Sequence, residues 1–230
     1  MSCFLHIETS TNVCSVALSQ EGACLFEKEN QEGPQHAAVL APFAEEALSF
    51  ADSHAIPLDA VAVSIGPGSY TGLRIGMSTA KGVCYGRDIP LIALPTLQIM
   101  ATPILLYHEE LPEDALLCPM IDARRMEVYC AIYDRSLTEI RPTTAEIIEK
   151  NSFDDILATH PVYFFGNGAE KCREIIKNPN ARFIENIVPL ARHMLPLAER
   201  AMALRHFENV AYFEPYYLKT FVAGKSKPLI

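Results

Sequence analysis

Six of the eleven glycines lie between Gly66 and Gly86. Val61-Ala62-Val63-Ser64-Ile65 reads as a short buried strand, Gly66-Pro67-Gly68 as the turn that ends it, and residues 71–85 as a helix. A chain that leaves a sheet through glycines and enters a helix at once turns backbone N–H groups towards a common point, which suits an anion. The residues fit neither GxxxxGK[ST] nor GxGxxG, and no lysine follows the turn, so the junction is read as neither a P-loop nor a dinucleotide fingerprint. A tight turn with close packing is the other reading. Within the helix each glycine costs about 1 kcal/mol relative to alanine, so close packing must offset it. Gly72, Gly76 and Ala80 recur every four residues, with Leu73 and Met77 on the adjacent stripe. That pattern predicts a surface for a docking helix, from the same chain or from a partner.

The residues around this junction give a regular order. Cys3-Phe4-Leu5-His6-Ile7, Cys14-Ser15-Val16-Ala17-Leu18 and Cys24-Leu25-Phe26 read as a three-strand meander turned at residues 8–12 and at Gln20-Glu21-Gly22. Leu40, Phe43, Ala44, Ala47 and Leu48 share one helical face, which predicts a helix over residues 36–51 with Pro42 inside it. Residues 90–94 read as a strand, and residues 96–100 begin a helix for which Thr96 is a candidate cap. Residues 1–105 thus form one βββαβα lobe. A smaller α/β lobe is expected over residues 106–230, opening with a charged linker at residues 106–114. It holds a hairpin (117–121 and 127–133), a strand (162–165), a helix (168–176) and a long helix (190–207).

Composition limits the function. No run of some 18 apolar residues could span a bilayer, and no basic start precedes an apolar run as in an export signal. The expectation is a cytoplasmic protein with no membrane association. Seven cysteines without a CxxC pair fit small buried hydrophobes in a reducing compartment. A net charge of −9 opposes free-standing nucleic-acid binding, and the nearest basic cluster, Lys219, Lys225 and Lys227, reads as a solvated terminus.

The run Ser64-Ile65-Gly66-Pro67-Gly68-Ser69-Tyr70-Thr71-Gly72-Leu73-Arg74-Ile75-Gly76 closely resembles the central motif of the TsaB (YeaZ) family. Ile7-Glu8-Thr9-Ser10-Thr11, Ile121-Asp122-Ala123-Arg124-Arg125-Met126-Glu127-Val128-Tyr129 and Pro215-Tyr216-Tyr217-Leu218-Lys219 agree with it in order. The resemblance implies the two-lobed ribonuclease-H-like fold of the actin-like ATPases. It also implies a non-catalytic subunit acting with a catalytic paralogue, TsaD, and a small ATPase, TsaE, in threonylcarbamoylation of the adenosine beside the tRNA anticodon. The partner interface it implies lies on the helices carrying His36, Leu40, Phe43, Ala44, Gly72, Leu73, Gly76, Met77 and Ala80, with the glycine stripe half-buried or exposed until the paralogue covers it. A homodimer through the same helices is expected when the paralogue is missing, with tRNA met only through the complex.

The resemblance also implies a vestigial nucleotide site at Glu8, Thr9, Ser10, Gly66, Gly68, Gly166 and Gly168. Nucleotide-using members of the superfold carry Asp and Gly where this chain has Glu8 and Ser10, so weak binding and no hydrolysis are expected, with no cofactor. The competing reading is a stand-alone ATPase or small-molecule kinase. A metallopeptidase is disfavoured: there is no HExxH, and no two of the seven histidines are closer than 13 apart. GxSxG is absent too, leaving Ser69 or Thr71 as helix caps. Asp122, Arg124 and Glu127 read as a salt-bridged turn rather than an acid/base set.

Overall fold

A computed structural model describes residues 2–33, 35–108 and 110–219. The first sheet contains β1 (Cys3–Glu8), β2 (Cys14–Gln20), β3 (Ala23–Asn30), β4 (Ala60–Ser64) and β5 (Leu91–Leu94), in the order β3-β2-β1-β4-β5. β1, β2 and β3 are antiparallel neighbours, while β4 and β5 add in parallel beyond β1. The parallel additions need crossovers, supplied by α1 (His36–Ser53) and α2 (Tyr70–Arg87). Both cover one face of the sheet. There Leu5, Ile7, Val16, Val61 and Val63 meet Leu40, Ala47, Met77 and Cys84.

The second sheet repeats this plan. Its strands are β6 (Leu116–Asp122), β7 (Glu127–Tyr133), β8 (Glu139–Ile147), β9 (Val162–Phe165) and β10 (Ala181–Ile184), in the order β10-β9-β6-β7-β8. A three-strand meander again extends by two parallel strands beside its first member. The short α4 (Asp154–Leu157) and α5 (Ala169–Arg173) cover one face through Phe153, Leu157, Ala169 and Cys172. α3 (Thr96–Tyr107) covers the other with Leu97, Met100, Ala101 and Ile104, and so ties the lobes together.

Several sequence expectations are corrected. β8 and β10 were not foreseen, and the expected helix over residues 168–176 shrinks to α5. The expected helix over residues 190–207 is a 3₁₀ turn, Ala191–Met194, followed by α6 (Leu195–Ala203) with Pro196 in its first turn. The division at residue 105/106 does not hold to the end of the chain. Ala191, Met194, Leu197 and Ala198 pack on Phe4, Ala17, Ala60 and Ile92, because the second face of the first sheet is apolar and needs a cover. Thr96 is the first residue of α3 rather than its cap; Pro95 holds that position. Among the described residues no helix is long and apolar enough to cross a membrane.

Candidate partner face and inter-lobe cleft

The loop after β1 is clamped onto the start of α2. Ser69 N–H donates to Ser10 O at 2.6 Å, and Ser69 Oγ caps the helix by accepting from Gly72 N–H at 3.2 Å. Thr9 Oγ1 donates to Gly72 O at 2.8 Å. A Cβ on Gly68 would collide with Ser10 O, one on Gly72 with Thr9 O, and one on Gly76 with Thr9 Oγ1. Gly68 and Gly72 therefore let the loop backbone meet the start of α2 closely, and Gly76 makes room for the Thr9 side chain.

Glu8 lies behind this loop and is wholly buried. Its Oε1 accepts from Ser10 N–H at 2.6 Å and from Ser10 Oγ–H at 2.5 Å, while Oε2 has no partner among the described residues. Burial raises its carboxyl above the usual carboxylate range, against the lowering effect of the Ser10 and Ser64 hydrogen bonds. One carboxylate oxygen is thus engaged by its own turn, and the side chain does not line the cleft.

The stripe Gly72, Gly76 and Ala80 is buried within the chain, as are Leu73 and Met77 beside it. His36, Leu40 and Ala44 of α1 are buried too, and Phe43 is half-buried against the same core. The expectation that the glycine stripe stays open for a partner helix is thus corrected: the occupant of that stripe is Thr9 and the first sheet. The outward side of α2 carries Thr71, Arg74, Ser78, Gly82, Tyr85 and Gly86, all exposed. Gly82 and Gly86 would admit a Cβ with nothing among the described residues within 4 Å. Tyr85 is 88% exposed. On α1, Ala37, Ala38, Ala41 and Pro42 are exposed, and Arg87 of α2 pairs with Asp52 of α1 at 2.7 Å across the two helices. Sequence reasoning passed over Gly82 and Gly86. Six residues, or roughly 600° of helical rotation, separate Gly82 from Gly76, a displacement that the spacing alone records.

Between the lobes lies a cleft of about 590 Å³ lined by Ser10, Pro67, Gly68, Tyr70, Arg124, Asn167, Tyr217 and Lys219 among others. Of the residues assigned to a vestigial nucleotide site, Ser10 and Gly68 line it, Ser10 fully buried and Gly68 half-buried. Glu8 and Thr9 are buried behind it, and Gly66 lines a second cavity of about 230 Å³. Gly166 and Gly168 pack against β6, where Met120 O and the Ile121–Asp122 peptide leave no room for a side chain. The hairpin charges are paired from outside the turn. Asp122 forms an ion pair with Lys171 and Glu127 one with Lys219, whereas Arg124 contributes its backbone N–H to Asp122 Oδ1 at 3.0 Å. Lys219 is therefore not part of a free basic tail, and Lys225 and Lys227 lie outside the described residues. Among the described residues no three His, Cys, Asp or Glu side chains are placed to hold a metal ion.

The duplicated sheet order, with the first-hairpin loop and the glycine junction together on one wall of the cleft and the β6–β7 hairpin on the other, defines a two-lobed ribonuclease-H-like protein of the actin-like ATPase superfold. The family model for TsaD, tRNA N6-adenosine threonylcarbamoyltransferase, matches residues 30–220. The tRNA threonylcarbamoyladenosine biosynthesis protein TsaB of Escherichia coli (strain K12) is 30% identical over 232 residues, covering 97% of either chain. The TsaB of Haemophilus influenzae is 28% identical over 97% of this chain and 96% of its own. The solved structure of YeaZ from Pseudomonas aeruginosa superposes with a TM-score of 0.75 at 26% identity, covering 95% of this chain and 100% of that one. This chain belongs to the TsaB family of tRNA threonylcarbamoyladenosine biosynthesis proteins.

Proposed function

We infer that the chain is a non-catalytic subunit that holds and activates the catalytic paralogue TsaD, together with the ATPase TsaE, for threonylcarbamoylation of the adenosine adjacent to the tRNA anticodon. The observation that carries the partner role is the outward side of α2. Gly82 and Gly86 meet no neighbour among the described residues, yet each costs the helix about 1 kcal/mol relative to alanine. A partner helix approaching over Ser78, Gly82 and Gly86, anchored by Tyr85 and by the alanines of α1, gives those glycines a purpose. The same face supports a homodimer when the paralogue is missing, since an exposed small and apolar surface accepts a second copy.

The non-catalytic part rests on the closed loop. Ser69 N–H and its side-chain cap are engaged inside the chain, and Glu8 is turned into its own turn. Few groups are left there to stabilise a transferring phosphoryl group. With a net charge of −9 the subunit meets tRNA only through the complex, in the cytoplasm. Reconstitution of the tRNA modification with each component omitted tests the whole reading. Omission of this chain should abolish product, and product formed without the paralogue would overturn the assignment.

A further inference from the structure

The inter-lobe space is divided by the chain's own residues 215–219. Tyr216 N–H donates to Ile65 O at 2.8 Å, just beyond β4. Its carbonyl presses on Gly66, where φ is +111° and a Cβ would stand 2.7 Å from that oxygen. The ring of Tyr217 lies 4.9 Å from that of Tyr70, the first residue of α2. Two residues on, Lys219 has crossed to the second lobe. It forms an ion pair with Glu127 of β7 and stands 5.7 Å from the centre of the Tyr129 ring. Four residues are thus fastened to both lobes.

Tyr216 lines both the smaller cavity, with Ile65, Pro95 and Tyr133, and the larger one, with Ser10, Pro67 and Arg124. Among the described residues lining the two spaces, Tyr216 is the one they share. We propose that residues 215–219 are a releasable strap that partitions the cleft and holds the lobes at one angle, detaching first at Lys219. The two ends differ in kind. At the first lobe a backbone hydrogen bond and an aromatic contact hold the strap. At the second, a partly exposed ion pair and a cation–π contact hold it, and such pairs are weak and screened by salt. Release lets the lobes shift and opens a route between the two cavities, independently of whether α1 and α2 carry a partner.

The test is amide hydrogen exchange of the full chain, followed residue by residue, for Lys219→Glu and for Lys219→Glu with Glu127→Lys. Exchange at the Tyr216 amide reports detachment, and the Leu5 and Ile7 amides in β1 report global unfolding. Charge reversal at Lys219 should raise Tyr216 exchange by about fivefold, because repulsion replaces the attraction of an exposed pair. Glu127→Lys in the same chain should restore it, and Tyr217→Ala should raise it by about tenfold. The β1 amides should not change in any variant. Unchanged Tyr216 exchange in Lys219→Glu, failure of the double variant to restore it, or an equal rise at Leu5 and Ile7 would each overturn the proposal.

Discussion

Thr9 Oγ1 occupies the position that a side chain on Gly76 would need, so the first hairpin loop and α2 share one space. Gly76→Ala should destabilise the isolated protein by about 1–3 kcal/mol, and Gly76→Leu by more, as overpacking of a rigid contact does. Thr9→Ala removes the obstructing oxygen and Cγ2 and leaves Cβ of residue 9 at 3.4 Å, while losing the hydrogen bond to Gly72 O, worth about 1 kcal/mol. Urea unfolding of the four proteins of this cycle checks the contact. Gly76→Ala should cost less in the Thr9→Ala background; equal cost in both would show that Thr9 is not what excludes the side chain.

Gly82 should respond with the opposite sign. No described neighbour stands within 4 Å of its Cβ position, so Gly82→Ala should stabilise the isolated chain by about 0.5–1 kcal/mol through helix propensity and a less flexible unfolded state. Thermal unfolding gives the answer directly. A lower melting temperature for Gly82→Ala would mean that this face is packed in the free protein.

His6 and His193 make stability depend on pH. Burial lowers His6 from 6.5 to about 3, and burial with Arg192 nearby lowers His193 to about 4. Folded pKa values below the unfolded one mean stability that is present above pH 6.5 and lost as pH falls towards the folded values. Between pH 7 and pH 5 each histidine should cost about 2 kcal/mol. Glu8, shifted upward, works the other way but is common to both proteins when the wild type is compared with His6→Gln. The pH 7 to pH 5 loss in urea-derived stability should shrink by about 2 kcal/mol in that variant, and parallel pH profiles would contradict the account.

The isolated chain should bind ATP or ADP weakly at best and release no phosphate above background. The Ser69 N–H that follows the glycine turn is taken by Ser10 O, and Gly68 is pressed against the same carbonyl. Calorimetric titration showing micromolar binding, joined to phosphate release by the purified chain, would reinstate the ATPase reading.

How much of this was legible in the sequence depended on range. The meander, the two crossover helices and the glycine junction were readable, since each is a local pattern of period 2 or 3.6 or a turn. β8 was not. It is a partly exposed edge strand carrying Glu139, Arg141, Pro142 and Glu146, so no apolar alternation marks it. The return of residues 191–198 to the first sheet was equally hidden, because it is decided by an apolar face nearly two hundred residues away. The glycine stripes show the limit most sharply. Spacing tells which residues of α2 share a side, but not which side faces the sheet, and Thr9 decides that.

The most direct test of the partner role is the affinity of the purified chain for its TsaD-type paralogue, measured for the wild type and for Gly82→Leu beside their melting temperatures. A side chain on the outward stripe should hold off a closely packed helix, weakening association at least tenfold, about 1.4 kcal/mol, with the melting temperature unchanged or raised. tRNA modification by the reconstituted system should fall with it. Unchanged affinity for Gly82→Leu, with the variant folded, would contradict the assignment of α2 as the partner-binding helix.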